Sequence, residues 1–545
     1  MKIYNFSAIS IFFFLSVTNS QVTRDWVQVY DGPGHGDDKA VSIVIDGSEN
    51  VYVTGTSAAS STNYDIATIK YNSAGVRQWV IRYNGPGNGN DQANAMAVDG
   101  SGNVYVTGFA SVNGQGFDFV TIKYNSSGTQ QWARFYNGPG NQNDVAVSIG
   151  IDGSGNVYAT GYSTGSGNSS YDYATIKYNS SGVQLWVQRY NGTGNSADDP
   201  SSIAVDASGN VYVTGTSYGI VSSSDYATIK YNTSGVQQWI ARYNGPGYSY
   251  DLPNSLAIDG SGNVYVTGQS VGISTDYDYA TVKYNSSGVQ QWAQRYNGTG
   301  NFYDVANTVA VDGSGNVYVT GVSVETGTHN DCTTIKYNSA GVQQWLQRYN
   351  GPQNNDDGAN SIAIDASGNV YITGSTIPNP SSWGDNLTVK YNNSGVQQWV
   401  QTYHGPANLG DNGSSIVVSS TGNVYVTGFS KDSSTSYDYC TIKYSQQIGI
   451  KKISSEIPDR YYLSQNYPNP FNPVTNIGFS LPKSENVILV IIDVTGKIVE
   501  NLVNEKLEAG TYSISWNAVG FSSGIYFYRI TAGVYNQTRK IILLK

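Results

Sequence analysis

Two aspartates return in every unit of a long internal repeat, and carboxylates at a fixed spacing are suited to holding a cation or a polyhydroxylated ligand. The first series is Asp38, Asp91, Asp144, Asp198, Asp251, Asp304, Asp357 and Asp411, and the second is Asp65, Asp118, Asp172, Asp225, Asp278, Asp331, Asp385 and Asp438. As two concentric rings they would hold Ca2+, a cationic group or a sugar. A residue present in every unit also has a plainer use, because a loop that each unit must fold needs acceptors for its backbone N–H groups. The expectation is therefore structural: these side chains accept backbone N–H bonds, or pair the equally recurrent Lys70, Lys123, Lys177, Lys230, Lys283, Lys336, Lys390 and Lys443.

Other candidate chemistry is thinner. The turn Asp-Gly-Ser-Gly-Asn looks superficially like a calcium loop but lacks its third carboxylate and distal Glu. His35, His329 and His404 are the only histidines, lie in different units, and have no His or Cys at ligand spacing. Gly-x-Ser-x-Gly occurs around Ser163, Ser217 and Ser270, but between two strands, whereas a nucleophile elbow needs a strand running into a helix. No zinc motif or phosphate loop occurs. Cys332 and Cys440 are more than a unit apart, so both read as buried and unpaired. No catalytic residue, metal site or cofactor is expected, with Ca2+ kept open.

The elements that position these residues come from the repeat. A unit of about 53 residues runs eight times, marked by the turn at Asp46, Asp99, Asp152, Asp206, Asp259, Asp312, Asp365 and, with the Asp replaced, Ser419. In the fourth unit, 184–190, 202–206, 210–215 and 226–232 read as strands bounded by Gly, Asn, Pro or Ser. Four short antiparallel strands make a propeller blade. One Trp per unit (Trp26, Trp79, Trp132, Trp186, Trp239, Trp292, Trp345, Trp399) is expected to pack between blades. The chain enters on a Trp strand and leaves after 441–445, so the repeat is offset from the blade. An eight-bladed, all-β ring closed by its N-terminal strand follows, with no open edge. The Asp-Gly-Ser-Gly-Asn and Asn-Ser-Ser-Gly-Val turns share one face and barely vary. The loop after Val-Thr-Gly varies on the other: 56–64, 109–117, 162–171 and 375–384 share little. The run Ser361 to Gly374 and its seven relatives resemble the SBBP-type bacterial β-propeller repeat over about residues 22–447, which implies architecture in an exported protein and no common activity.

Composition and termini give the location. Of 545 residues, 29 are Lys or Arg and 39 Asp or Glu, a formal charge of −10 with no basic stripe, which argues against nucleic acid. Lys2, the apolar run 9–17 and small or polar residues to Ser20 read as a signal peptide over 1–20. No segment reaches the apolar length of a spanning helix. After a polar linker at 448–459, residues 460–545 read as a small β-sandwich with strands at 475–481, 486–494, 511–517, 524–531 and 537–544. Its Leu-Ser-Gln-Asn-Tyr-Pro-Asn-Pro-Phe-Asn-Pro stretch (463–473), the turn 493–496, the end 524–528 and the run 540–545 resemble the C-terminal type A sorting domain of the type IX secretion system. The resemblance implies handling by that machinery through 460–545 and passage through the periplasm to the outer cell surface or the medium.

The function expected is a secreted or cell-surface binding or adhesion module for a glycan or protein. Loops rich in Tyr, Ser, Gly and Asn on a rigid scaffold make adaptable contacts. Ligand contact is assigned to the variable face, with Tyr162, Tyr218, Trp383 and Phe429 as its candidate aromatics. The alternatives are an extracellular propeller enzyme, quinoprotein-like or glycan-degrading, and a structural surface-layer protein.

Overall fold

Strands at the middle of a blade are covered on both faces by neighbouring blades, so their sequence loses the polar alternation of a half-exposed sheet. Val51–Ala58 and Tyr64–Tyr71 show this: nearly every residue is buried. They are flanked by the inner strand Lys39–Ile45 and the outer, Trp-bearing strand Arg77–Tyr83, in the order inner, second, third, outer. The computed structural model describes residues 22–544 except 60–62, 113–114, 167–169, 221–222, 379–382, 408, 432–435, 447–450, 455 and 519–520. The expected signal peptide lies outside the described residues, as do parts of the variable loops and of the expected linker.

Eight such sheets are present, and the eighth is Val22–Tyr30, Tyr437–Gln446, Val424–Lys431 and Asp411–Val418 in order, so the N-terminal strand completes the last blade. The inner strand Lys39–Ile45 packs against both Gln92–Val98 and Asp411–Val418, and the ring is closed. A bulge interrupts each inner strand, between Ala40 and Ser42 in the first. It releases residues toward the neighbouring blade: Asn94, Asn254, Asn307 and Asn360 donate side-chain N–H bonds to the carbonyls of Ala146, Ala306, Ala359 and Gly413 one blade on.

At the rim, one turn carbonyl receives two donors from the preceding blade. Trp79 Nε1 and Lys70 Nζ both donate to the Ser126 carbonyl, at 3.3 and 3.2 Å. The same pair recurs from Trp132 and Lys123 to Ser180, and from Trp26 and Lys443 to Ser73 across the closure. The indole also lies on the turn glycine. Gly75 has φ +81, and a Cβ there would stand 2.8 Å from the Trp26 ring. That turn must be Gly on both counts. Each Lys is held over a Tyr ring of its own blade, Lys70 at 4.9 Å from the Tyr52 centroid. Trp399, whose acceptor would be an outer turn in blade 8, has no partner for its buried Nε1 among the described residues.

The closure has its own chemistry. In the first seven units the turn Asp accepts the hydroxyl of the Tyr six residues on, Tyr52 to Asp46 at 2.9 Å. The eighth unit has Ser419 there. The missing carboxylate comes from blade 1: Glu49 accepts from Tyr425 OH at 2.6 Å, Asn423 Nδ2 at 2.9 Å and Thr421 Oγ1 at 2.5 Å. Burial raises the Glu49 carboxyl, but these hydrogen bonds outweigh it and hold the group below its usual range. Glu49 occupies the turn position filled by glycine in other units and has φ +58, an unfavourable conformation for a residue with a Cβ.

The C-terminal domain, from Gln446 on, contains two four-stranded sheets. One is ordered Lys451–Ser454, Gly510–Asn517, Val474–Leu481, Tyr462–Leu463; the other Ile498–Leu507, Glu485–Ile492, Gly524–Ala532, Tyr535–Leu543. They share a core of Phe471, Phe479, Leu489, Ile514, Trp516 and Tyr528. Two differences from expectation stand out. Ile498–Leu507 is a full strand, and 451–454, inside the expected linker, pairs with Gly510–Asn517. Residues 463–471 strap the C-terminal edge strand: Phe471 N donates to the Ile542 carbonyl, Leu544 N to that of Phe471, and Arg539 Nε to that of Leu463.

The carboxylate exchange at the closure predicts a sign reversal. Glu49→Gly is expected to lower stability by about 1–2 kcal/mol, the lost hydrogen bonds exceeding the relieved strain. Ser419→Asp alone should also destabilise, by crowding two carboxylates. The double variant should recover most of the loss, and thermal melts that show additive losses would refute the exchange.

Candidate ligand-binding face

The loop entering each blade folds around the first Asp series. Asp38 Oδ2 accepts Gly32 N–H at 2.7 Å and Oδ1 accepts Ala58 N–H at 2.8 Å; Asp91 does the same for Gly85 and Ser111, at 2.6 and 2.8 Å. These carboxylates are buried throughout. Burial raises Asp91 to about 6 against the pull of its two N–H donors. The ring expected as a possible cation site is thus engaged by the backbone, as the structural reading had it.

The second series pairs with arginine, which corrects the expected lysine pairing. Arg189 holds Asp172 at 2.7 Å, the Ser163 hydroxyl and carbonyl at 2.5 and 2.9 Å, and Tyr136 OH of the preceding blade at 3.1 Å. Arg82, Arg242 and Arg295 repeat this with Asp65, Asp225 and Asp278. The lysines lie at the opposite end of the same strands, in the rim contacts. Ser163, Ser217 and Ser270, the centres of Gly-x-Ser-x-Gly, are arginine acceptors here. In blade 6, Arg348 turns to Glu325 at 2.7 Å.

Three blades lack the arginine: Phe135, Thr402 and Val29 stand in its place. Blade 2 has lost the serine as well, to Ala110. Asp118 stays, 4% exposed, with no hydrogen-bond partner for Oδ1. Burial, then the nearby Asp144, raises it to about 6.

The histidines remain separate. His35 Nδ1 meets Asp31 at 2.6 Å and His329 lies 3.9 Å from Asp356. Among the described residues, Asp31, Asp38 and Asp438 bring carboxylate oxygens within 4.8 Å of one another and are those that could hold a cation. Both Asp38 oxygens, however, take backbone N–H groups, and Asp31 faces His35.

Of the four candidate aromatics, only Trp383 is openly displayed, at 77% exposure. Tyr162, Tyr218 and Phe429 lie on second strands and are half-buried. Tyr162 packs on Tyr171 with centroids 4.7 Å apart, and Phe429 on Tyr437 at 5.0 Å. Sequence reasoning missed a denser group. The loops entering blades 5 and 6 expose Tyr248 (79%), Tyr250, Phe302 (61%) and Tyr303, while Ile220 and Ile273 are exposed in the loops beside them. Tyr277 links this group to Tyr218: burial first, then Asp276, Tyr250 and Tyr218, raise its phenol. The signal was in the sequence, since the other units carry no aromatic at the positions of Tyr248, Tyr250, Phe302 and Tyr303.

The family matches agree with this architecture. Residues 78–114, 185–220, 238–273 and 344–380 match the SBBP β-propeller repeat, and residues 465–544 match the secretion system C-terminal sorting domain. The chain pairs propeller repeats with a secretion tail. No curated protein matches it in sequence. Solved structures similar to it include the propeller domain of the Trilobed protease from Pyrococcus furiosus (10% identity, 65% of this chain and 94% of that one, TM-score 0.39). Others are a fungal alcohol oxidase of the AA5 family in complex with copper (13%, 82% and 96%, 0.37) and Drosophila Plexin A in complex with Semaphorin 1b (9%, 78% and 88%, 0.37).

Blade 2 yields a pH-dependent prediction. With a folded-state value of about 6 against about 3.9 unfolded, ionising Asp118 penalises the fold, so the penalty is absent below about pH 4 and complete above about pH 6. Asp118→Asn should raise stability by about 1–3 kcal/mol at pH 8 and change it little at pH 4. Phe135→Arg with Ala110→Ser should stabilise at pH 8 by supplying the absent partners. Equal thermal shifts at both pH values would show that ionisation of Asp118 is not responsible.

Proposed function

We propose that this protein is a secreted or cell-surface binding module whose ligand meets the loop face of the propeller. The sorting domain at 465–544 directs it to the type IX secretion system for export to the surface or the medium, and no described helix is long and apolar enough to cross a membrane. The binding role is supported by the contrast between the two faces. Turns on one are occupied by blade-to-blade contacts with Trp and Lys, whereas on the other the arginine–aspartate network lies beneath loops whose exposed aromatics differ from blade to blade. A ligand without eightfold symmetry is recognised by residues that break the repeat.

Two measurements test this reading. Removing 460–545 is expected to leave a folded propeller retained in the periplasm, because the two units have separate cores; normal export of the truncated protein would overturn the secretion assignment. On a glycan and protein array, alanine at Tyr162, Tyr218, Trp383 or Phe429 should weaken binding by about 1 kcal/mol or more at one position at least. Ser127→Lys, in a turn of the opposite face, should not. The reverse result would place the ligand on the turn face.

A further inference from the structure

The aromatic group over blades 5 and 6 stands where the repeat has other uses for those positions. At the position of Tyr248 six units carry Asn and one His. The backbone there is left-handed, φ +50 at Tyr248 as at Asn88 (+49) and Asn141 (+47), a conformation Asn tolerates and a bulky ring does not. The Asn also accepts a side-chain bond within the loop, Asn84 Nδ2 to Asn88 Oδ1 at 3.0 Å and Asn297 to Asn301 at 2.8 Å. Tyr248 gives up that bond.

The position of Tyr250 and Tyr303 has a different task elsewhere. Asn90, Asn143 and Asp356 there accept a backbone N–H at or near the start of the preceding blade's third strand, from Tyr64, Phe117 and Asn330. A tyrosine cannot reproduce that cap, and Tyr303 OH instead meets Asn330 Nδ2 at 3.1 Å, which fixes its ring. Both residues immediately precede the buried Asp at the entry to an inner strand, so they sit near the axis in adjacent blades, whose stacked sheets are about 10 Å apart. These loops therefore forgo a favourable backbone residue and a side-chain bond, the N–H of Tyr277 being capped instead by Asp276 Oδ1 at 2.9 Å, and Tyr248 and Phe302 gain little burial, at 79% and 61% exposure, whereas Tyr250 and Tyr303 are about half-buried. Packing does not account for Tyr248 and Phe302.

We propose that Tyr248, Tyr250, Phe302 and Tyr303 form a stacking platform for a neutral polysaccharide. The proposal rests on the loop face being the binding face. Rings in adjacent blades, with Tyr303 held through its hydroxyl, offer flat apolar surfaces to the C–H faces of successive sugar rings. The surrounding loops, 244–250, 272–276, 297–303 and 325–329, supply Asn, Ser and Thr for hydroxyl groups and contain no Lys or Arg. Glu325 there is neutralised by Arg348, and the exposed Asp276 together with a chain charge of −10 disfavours an anionic glycan.

The repeat itself supplies the test variant. Tyr248→Asn, Tyr250→Asn, Phe302→Ser and Tyr303→Asn put the residues of other units into these loops, so the variant should melt no lower than the parent. The full mature chain would be run in native gels containing laminarin, glucomannan or xylan, with alginate as the anionic control. The expected result is retardation by at least one neutral polysaccharide, insensitive to salt, with apparent affinity falling tenfold or more in the variant. Absence of retardation by every neutral polysaccharide, retardation by alginate alone, or retardation unchanged in the variant would each overturn the platform. An array protein whose binding the same variant abolishes, with no polysaccharide retained, would also overturn it while leaving the loop face as the binding face.

Discussion

A single backbone carbonyl in each outer turn carries the contact that joins one blade to the next at the rim: an indole N–H and a lysine ammonium from the preceding blade both donate to it, and the indole ring covers the turn glycine. This contact explains why one face of the ring is so uniform. A side chain at Gly75 or Gly182 would enter the neighbour's Trp ring, and another turn shape would move the shared carbonyl. Variation is thereby confined to the opposite end of the strands. There the blades are joined by arginine, which needs an Asp, a Ser and a Tyr from beneath the loops and leaves the loop tips to differ.

The arginine network departs from its pattern in more blades than the rim does. Blades 2, 7 and 8 do without the guanidinium, and blade 6 redirects it to Glu325. The rim contact fails its own pattern at Trp399, where the chain supplies an N-terminal strand in place of a hairpin turn. Blade-to-blade adhesion is thus layered, with Asn side chains at the axis, arginine under the loops and Trp with Lys at the rim.

Much of this was legible in the sequence. The period, the four strands and the offset of the Trp strand together required a ring closed by its first strand, and the invariance of two turns separated the faces. Partners across strands were less accessible. Asp65 and Lys70 recur together, but five residues along one strand place them about 16 Å apart, while Arg82, remote in sequence, is brought to Asp65 by the antiparallel register. Its absence from three units while the Asp persists in all eight disguised the pairing. Tyr162 and Phe429 looked like loop residues because the second strand extends beyond Val-Thr-Gly, and each gains an aromatic neighbour there. Tyr248 and Tyr303 were overlooked because their loops share a framework of glycines and a buried Asp, which hid the ring-bearing positions within it.

The borrowed carboxylate of Glu49 bears on how such a ring can change size. Only the first unit offers it and only the eighth requires it, so the two ends recognise each other independently of how many units lie between. Duplicating or deleting an internal unit leaves that match intact, whereas losing either terminal unit strands a tyrosine hydroxyl or a surplus acid. Gene-level expansion of the array is therefore compatible with closure as far as the seam is concerned, and the curvature set by blade packing is left to decide the count. The same match is available between separate chains, where the eighth unit of one molecule can accept the first unit of another, so the seam enforces correct ends without distinguishing a closed ring from an exchanged one.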